Sequence, residues 1–60
     1  MILEEAQTLL TVEQVAERLQ VTGRTVRRWL RDGVLPGVRP GGHIWRVREH
    51  DLRDFIAQAH

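Results

Sequence analysis

The stretch Thr22–Gly33, TGRTVRRWLRDG, has two opposed faces when it is written as an α-helix. At about 100° per residue, Val26, Trp29 and Leu30 fall within one apolar stripe. The opposite side carries four basic residues: Arg24, Arg27, Arg28 and Arg31. This stretch therefore predicts a helix that packs its stripe against a core and turns a continuous cationic face to solvent.

The cationic face carries an electrostatic cost. Its arginines form like-charge pairs at i,i+3 and i,i+4 spacing, and each such pair destabilises a helix by roughly 0.2–0.5 kcal/mol. Arg24 also falls in the first turn, where the helix dipole favours an acid. A surface selected only for solubility would mix the two signs of charge. A polyanion lying along the helix would remove the repulsion, so nucleic acid is the first partner to consider, with a merely solvated face as the alternative.

The charges of the whole chain are segregated, although they nearly cancel to +1. Residues 1–20 contain four acids against one arginine, a net charge of −3. Residues 21–48 contain seven arginines against one aspartate, a net charge of +6, and residues 49–60 contain three acids against one arginine, a net charge of −2. This distribution predicts a domain with one basic face, as in nucleic-acid-binding proteins.

The length of 60 residues limits the chain to one domain. We interpret residues 1–60 as that domain, with residues 1–8 as a leader that we expect to be loosely ordered. A chain this short buries only about 60% of its unfolded surface, so its stability should be small. It contains no cysteine to brace it, and no apolar run approaches the roughly 18–20 residues that span a membrane. We expect a cytoplasmic, nucleoid-associated protein without membrane contact.

A second helix is predicted immediately before the first. Thr11 and Gln14 form a T-x-x-Q capping box, which starts a helix that should run to Leu19 or Gln20. Only a tight turn separates it from Thr22, the next N-cap candidate, and Gly33 is placed to end the arginine helix. Two amphipathic helices joined by three or four residues form the helix-turn-helix pattern.

The second half of the chain predicts a hairpin and a third helix. Val38–Arg39 and residues 44–47 are β-rich pieces on either side of a Pro/Gly-rich tip, which is typical of a short hairpin. From Arg48 the period returns to that of a helix, whose apolar stripe is Leu52, Phe55, Ile56 and Ala59. The predicted fold is mainly α, a small winged helix-turn-helix with three helices and a two-stranded β-hairpin wing.

Residues 9–56 resemble a known family of DNA-binding domains. The points of likeness are L-T-V-E-x-V-A-x-x-L, V-T-x-x-T-V-R-R-W, D-G-x-L-P, a glycine-rich segment ending W-R-V, and D-L-x-x-F-I. In this order and spacing they resemble the excisionase-type domains of the MerR-like winged helix-turn-helix group. The resemblance implies that the helix from about Gly23 is a recognition helix in the major groove, and that residues 38–47 are a wing that reaches phosphates or the minor groove.

The resemblance also implies a range of biological roles. Members of the group include recombination directionality factors, small transcriptional regulators and DNA-binding modules of larger enzymes. In excisionase-like relatives, adjacent copies cooperate along DNA and bend it. We therefore expect double-stranded DNA as the partner, with self-association as a dimer or a side-by-side array, because one small copy should bind with modest affinity.

The candidate DNA-binding residues lie on the arginine helix and on the wing. The N-terminal part of a recognition helix usually reaches base edges, which favours Arg24, Arg27 and Arg28 for that role. Arg31, one turn later, suits a phosphate contact or is simply solvated, and Thr25 suits either DNA or a capping role.

The wing candidates are Arg39, His43 and Arg46, with hairpin solubility as the alternative. Trp45 suits burial under the hairpin better than stacking on a nucleotide.

The sequence gives little support for metal binding or catalysis. His43, His50 and His60 lack the spacing of metal ligands, and no cysteine joins them. No nucleophile, base and orienting third group occur together. We expect no enzymatic activity, no catalytic residue, no metal, no cofactor and no small-molecule ligand.

The alternative function is a DNA- or protein-docking N-terminal module of a larger enzyme or regulator, in which the basic face meets an acidic partner.

Overall fold

The computed structural model of the chain describes residues 8–42 and 44–58. The elements, in chain order, are strand β1 (Leu9–Thr11), helix α1 (Val12–Leu19), helix α2 (Gly23–Asp32), a 3-10 turn (Pro40–Gly42), strand β2 (Arg46–Arg48) and helix α3 (Glu49–Gln58). The predicted fold class is confirmed, since this is a mainly helical, small winged helix-turn-helix domain. Most of the predicted leader, residues 1–7, lies outside the described residues.

Helix α1 begins with the predicted capping box. The backbone N–H of Gln14 donates to Oγ1 of Thr11 at 3.0 Å, and the N–H of Thr11 donates to Oε1 of Gln14 at 2.8 Å. The helix ends after Leu19, where Gln20 takes the left-handed conformation with φ 62°. The N–H of Val21 then donates to the carbonyl of Ala16 at 3.0 Å, which closes the last turn and starts the chain toward α2.

Helix α2 is also bounded by the residues predicted for it. The Thr25 N–H donates to Oγ1 of Thr22 at 3.1 Å, which makes Thr22 the N-cap. Gly33 ends the helix at φ 81°, a conformation that glycine adopts without the strain of a Cβ atom. Along the predicted stripe Val26 and Leu30 are buried. Trp29 is half-buried at the edge of the core, and its ring centroid lies 5.4 Å from that of Phe55.

The strand pairing differs from the predicted hairpin. Val38 and Arg46 exchange two backbone hydrogen bonds of 2.8 Å, but they form a single bridge and not a ladder. The longer antiparallel partner of β2 is β1, in the register Leu9↔Arg48, Leu10↔Val47 and Thr11↔Arg46. Pro36 and Pro40 flank Val38 and have no backbone N–H to donate, so the pairing of this segment with β2 cannot extend beyond one bridge. Strand β1 has no such restriction.

One core joins all of these elements. Its buried residues are Leu10, Val12, Val15, Ala16, Val26, Leu30, Leu35, Val47 and Leu52. In α3 the predicted stripe is wrong at one position, because Ile56 is 37% exposed. The helix packs on the core through Leu52 and the half-buried Phe55, and Ile56 lies at the margin of this contact. Ala59 lies outside the described residues. No helix in the described part of the chain is long and apolar enough to cross a membrane.

Candidate nucleic-acid interface

The outer face of α2 is a cationic surface. Its arginines are exposed and Thr25 between them is half-buried. Together they line one shallow groove, which we call the outer groove: Arg24, Thr25, Arg27, Arg28 and Arg31. Because Val26 and Leu30 are buried on the opposite side, the core holds α2 with this face turned outward. The structure therefore brings five of the eight sequence-predicted site residues together.

Three of these arginines are held apart from acidic side chains. Arg24, Arg28 and Arg31 form no ion pair with any residue that the structure describes, so their guanidinium donors are open to solvent. Two arginines elsewhere do form ion pairs: Arg18 with Glu49 at 3.3 Å between α1 and α3, and Arg48 with Asp51 at 3.5 Å. Unpaired guanidinium groups on a rigid helix can bind phosphates or the edges of guanine.

Thr25 combines a structural contact with its place in the groove. The Thr22 hydroxyl donates to Oγ1 of Thr25 at 3.0 Å, and Thr22 Oγ1 accepts from the Thr25 backbone. Thr25 therefore takes part in the capping of α2, which was one of the two roles weighed for it. Its hydroxyl can still donate one further hydrogen bond outward.

Arg27 is placed differently from the other arginines of α2. Its Nη2 donates to Oε2 of Glu13 in α1 at 3.1 Å. Its Nη1 lies beside Gly23, so close that a Cβ built on Gly23 would sit 3.3 Å from it. Sequence reasoning missed Glu13, since 14 residues and a change of helix separate it from Arg27 and no local period links them.

The wing places its two described arginines against its own residues. Cζ of Arg39 lies 5.0 Å from the centroid of the Trp45 ring, and its Nη2 donates to the carbonyl of Gly42 at 3.3 Å. Arg46 is half-buried, and its Nη1 donates to the Trp45 carbonyl at 3.0 Å. Trp45 itself is half-buried, packed against the core and covered by Arg39. His43 lies outside the described residues.

A second groove runs between the two helices and the wing. It is lined by Val12, Glu13, Arg27, Ile44, Trp45 and Arg46, and we call it the helix–wing groove. Arg27 lines both grooves, so the cationic face of α2 continues into the wing at this residue. Arg46 joins Arg27 here, whereas Arg39 lines neither groove. Among the described residues, no group of three or more His, Asp or Glu side chains is placed to hold a metal ion.

Comparison with known proteins agrees with this geometry. The family model described as a helix-turn-helix domain matches residues 9–60, which is most of the chain. No curated protein matches the sequence. The matched region contains all three helices, the turn between α1 and α2, and the wing. The chain therefore belongs to the helix-turn-helix domain family, whose members bind DNA.

Proposed function

We propose that this protein is a sequence-specific binder of double-stranded DNA, with α2 in the major groove and the wing against the backbone. The observation that carries the proposal is the outer face of α2, where Arg24, Arg28 and Arg31 lack acidic partners among the described residues. The same helix buries its other face in the core. Such a face is costly in isolation and is stabilised when phosphates lie along it.

The residues divide into two roles. Arg24, Arg27 and Arg28, in the first half of α2, read base edges, for which a bidentate arginine–guanine pair is the best geometry. Arg31 contacts a phosphate, and Thr25 contacts a phosphate or a thymine methyl. The wing residues Arg39, His43 and Arg46 contact the backbone and supply salt-dependent affinity.

The proposed biological role follows the resemblance to excisionase-type domains. The protein acts as a small transcriptional regulator or an excisionase-like recombination factor at the nucleoid, without chemistry of its own. One copy offers a small interface and therefore modest affinity. Specific binding in a cell would use two or more copies, as a dimer or as a side-by-side array on DNA. Residues 1–60 act as a single domain in this proposal.

The first experiment selects a preferred duplex from a random library and measures its affinity and that of random duplex over a series of salt concentrations. We expect log affinity to fall with log salt at a slope of about −0.9 for each phosphate contact. Arg24→Ala should weaken the selected duplex more than the random one, by roughly 1–3 kcal/mol.

The matched control is Arg53→Ala, which removes the same charge from α3, where Arg53 is exposed and lines neither groove. It should leave the preference for the selected duplex unchanged. Absence of duplex binding at low salt would refute the proposal. Binding to an acidic polypeptide in preference to any duplex would favour the docking-module alternative instead.

A further inference from the structure

Arg27 stands at the point where the outer groove meets the helix–wing groove, and its guanidinium is held on two sides. On one side Glu13 Oε2 accepts from Nη2 at 3.1 Å. On the other side Nη1 lies beside Gly23, where any larger side chain would begin to crowd it. The group is thus turned back toward the N-terminal end of α2, the end that enters deepest into a major groove in helix-turn-helix proteins.

The ion pair between Glu13 and Arg27 is too exposed to matter much for folding. Their side chains are 73% and 54% exposed, and ion pairs of this kind contribute little to stability because solvent screens them. Glu13 is also the single acid among the described residues that line the two grooves. Glu13 also lies in the first turn of α1, where the helix dipole favours an acid, and this accounts for its charge. It does not account for the contact with Arg27 beside a surface proposed to bind phosphates, where an acid weakens non-specific attraction.

We propose that Glu13 is a positioning residue for DNA recognition, which holds the Arg27 guanidinium in the orientation that reads a base and makes Arg27 a determinant of specificity. This inference rests on the proposed function. Glu13 uses one hydrogen of Nη2, which leaves the remaining N–H donors of the guanidinium for a base. A free arginine loses much rotamer freedom when it binds, and an arginine already held in place loses less.

The role of Glu13 has two parts. By ordering Arg27 it strengthens binding to the preferred duplex. By its charge it weakens binding to any duplex that does not engage Arg27. Both parts raise the ratio of specific to random affinity, which is the quantity that decides where a protein binds on a genome.

The test measures this ratio for Glu13→Ala and for Glu17→Ala. Glu17 is an exposed acid one turn further along α1, and it lines neither groove. We expect Glu13→Ala to lower the ratio roughly 3- to 10-fold, the range expected from the loss of one side chain's ordering. Glu17→Ala removes the same charge from the same helix and should change both affinities alike, which leaves the ratio unchanged.

A double-variant cycle separates positioning from simple charge repulsion. In the Arg27→Ala background, Glu13→Ala should leave the ratio unchanged, since the side chain through which it acts is gone. A fall of the ratio that persists in that background would overturn the inference. So would a rise of the ratio in Glu13→Ala alone, because it would mean that Glu13 competes with DNA for Arg27.

Gly23→Ala provides an independent variant that reaches Arg27 from the other side. The added Cβ presses on Nη1 of Arg27, which is the mobile end of a long side chain, and its other nearest contact is Val12 Cγ1 at an ordinary 3.6 Å. We expect a lowered ratio with an undiminished melting temperature, since alanine favours helix. An unchanged ratio in both Gly23→Ala and Glu13→Ala would overturn the inference.

The outcomes also distinguish this inference from the proposed function. If the wild-type protein shows no preference for any selected duplex, the proposed function fails. If the wild type has a preference that Arg27→Ala lowers and Glu13→Ala does not, the proposed function stands and the positioning role of Glu13 fails.

Discussion

The arginines of α2 and the arginines of the wing differ in what holds them. Arg24, Arg28 and Arg31 project from a helix whose other face is buried, and no described acid pairs with them. Arg39 and Arg46 instead contact the wing itself, through the Trp45 ring and backbone carbonyls. A helix presents separate side chains on a rigid backbone. The two segments of the wing are joined by the single bridge between Val38 and Arg46, so contacts of its own side chains are needed to stabilise it.

This difference has a functional consequence for DNA binding. Guanidinium groups with open donors can adopt the fork geometry that base edges require. Arg39 and Arg46 are held against the wing itself, so they keep their charge for attraction to phosphates but do not project from it as α2 side chains do. Arg27 is also held, but within the cationic face of α2. These contacts support, alongside the resemblance, the proposed division between a helix that reads bases and a wing that binds the backbone.

The largest expected effect comes from the core residue that both regions share. Leu30 is buried in α2, and its Cδ2 lies against Gly37 at the base of the wing. Leu30→Ala should lower the free energy of unfolding by about 2–5 kcal/mol, a large part of what a small domain possesses. Thermal melting followed by circular dichroism would measure it. Ile44→Ala, at a wing residue that is 59% exposed, is the control and should shift the melting curve little.

A smaller effect is expected at the joint between helix and wing. A Cβ on Gly37 would collide with Leu30 Cδ2 and would sit 3.1 Å from the Arg46 carbonyl oxygen. Gly37→Ala should therefore cost about 1–3 kcal/mol by overpacking. Urea denaturation would measure the loss.

The combination with Leu30→Ala tests the cause of that loss. Removing Cδ2 makes room for the new Cβ, so the double variant should lose less stability than the two single variants added together. Strict additivity would show that Gly37 is needed for another reason than its contact with Leu30.

The smallest effects on folding stability are expected at the exposed arginines, whose substitutions separate the two groups by their effect on binding. Arg28→Ala should weaken the selected duplex by roughly 1–3 kcal/mol and random duplex less. Arg39→Ala should weaken both duplexes about equally. It should also cost no more than about 1 kcal/mol of folding stability, since the cation–π contact with Trp45 is near the surface. Competition binding with the two duplexes gives the comparison, and the reverse pattern would exchange the roles of helix and wing.

Local motifs were sufficient to place α1 and α2. The capping box of Thr11 and Gln14, the N-cap at Thr22 and the left-handed Gly33 act over three or four residues, so their spacing in the sequence is also their geometry. The opposed faces of α2 follow from helical period in the same way. The family match and the fold confirm the helix-turn-helix prediction, while the individual DNA contacts remain predictions.

Contacts across long stretches of chain were decided only by the tertiary structure. The pairing of β1 with β2 joins Leu10 to Val47, which are far apart in the sequence, and the prolines beside Val38 limit its own pairing with Arg46 to a single bridge. The contacts of Glu13 with Arg27 and of Arg39 with Trp45 also depend on how separate elements meet. The sequence by itself determined the helices and their cationic face because those interactions are local. The tertiary structure determined which arginine side chains lack a partner among the described residues and which contact an acid, an aromatic ring or a backbone carbonyl.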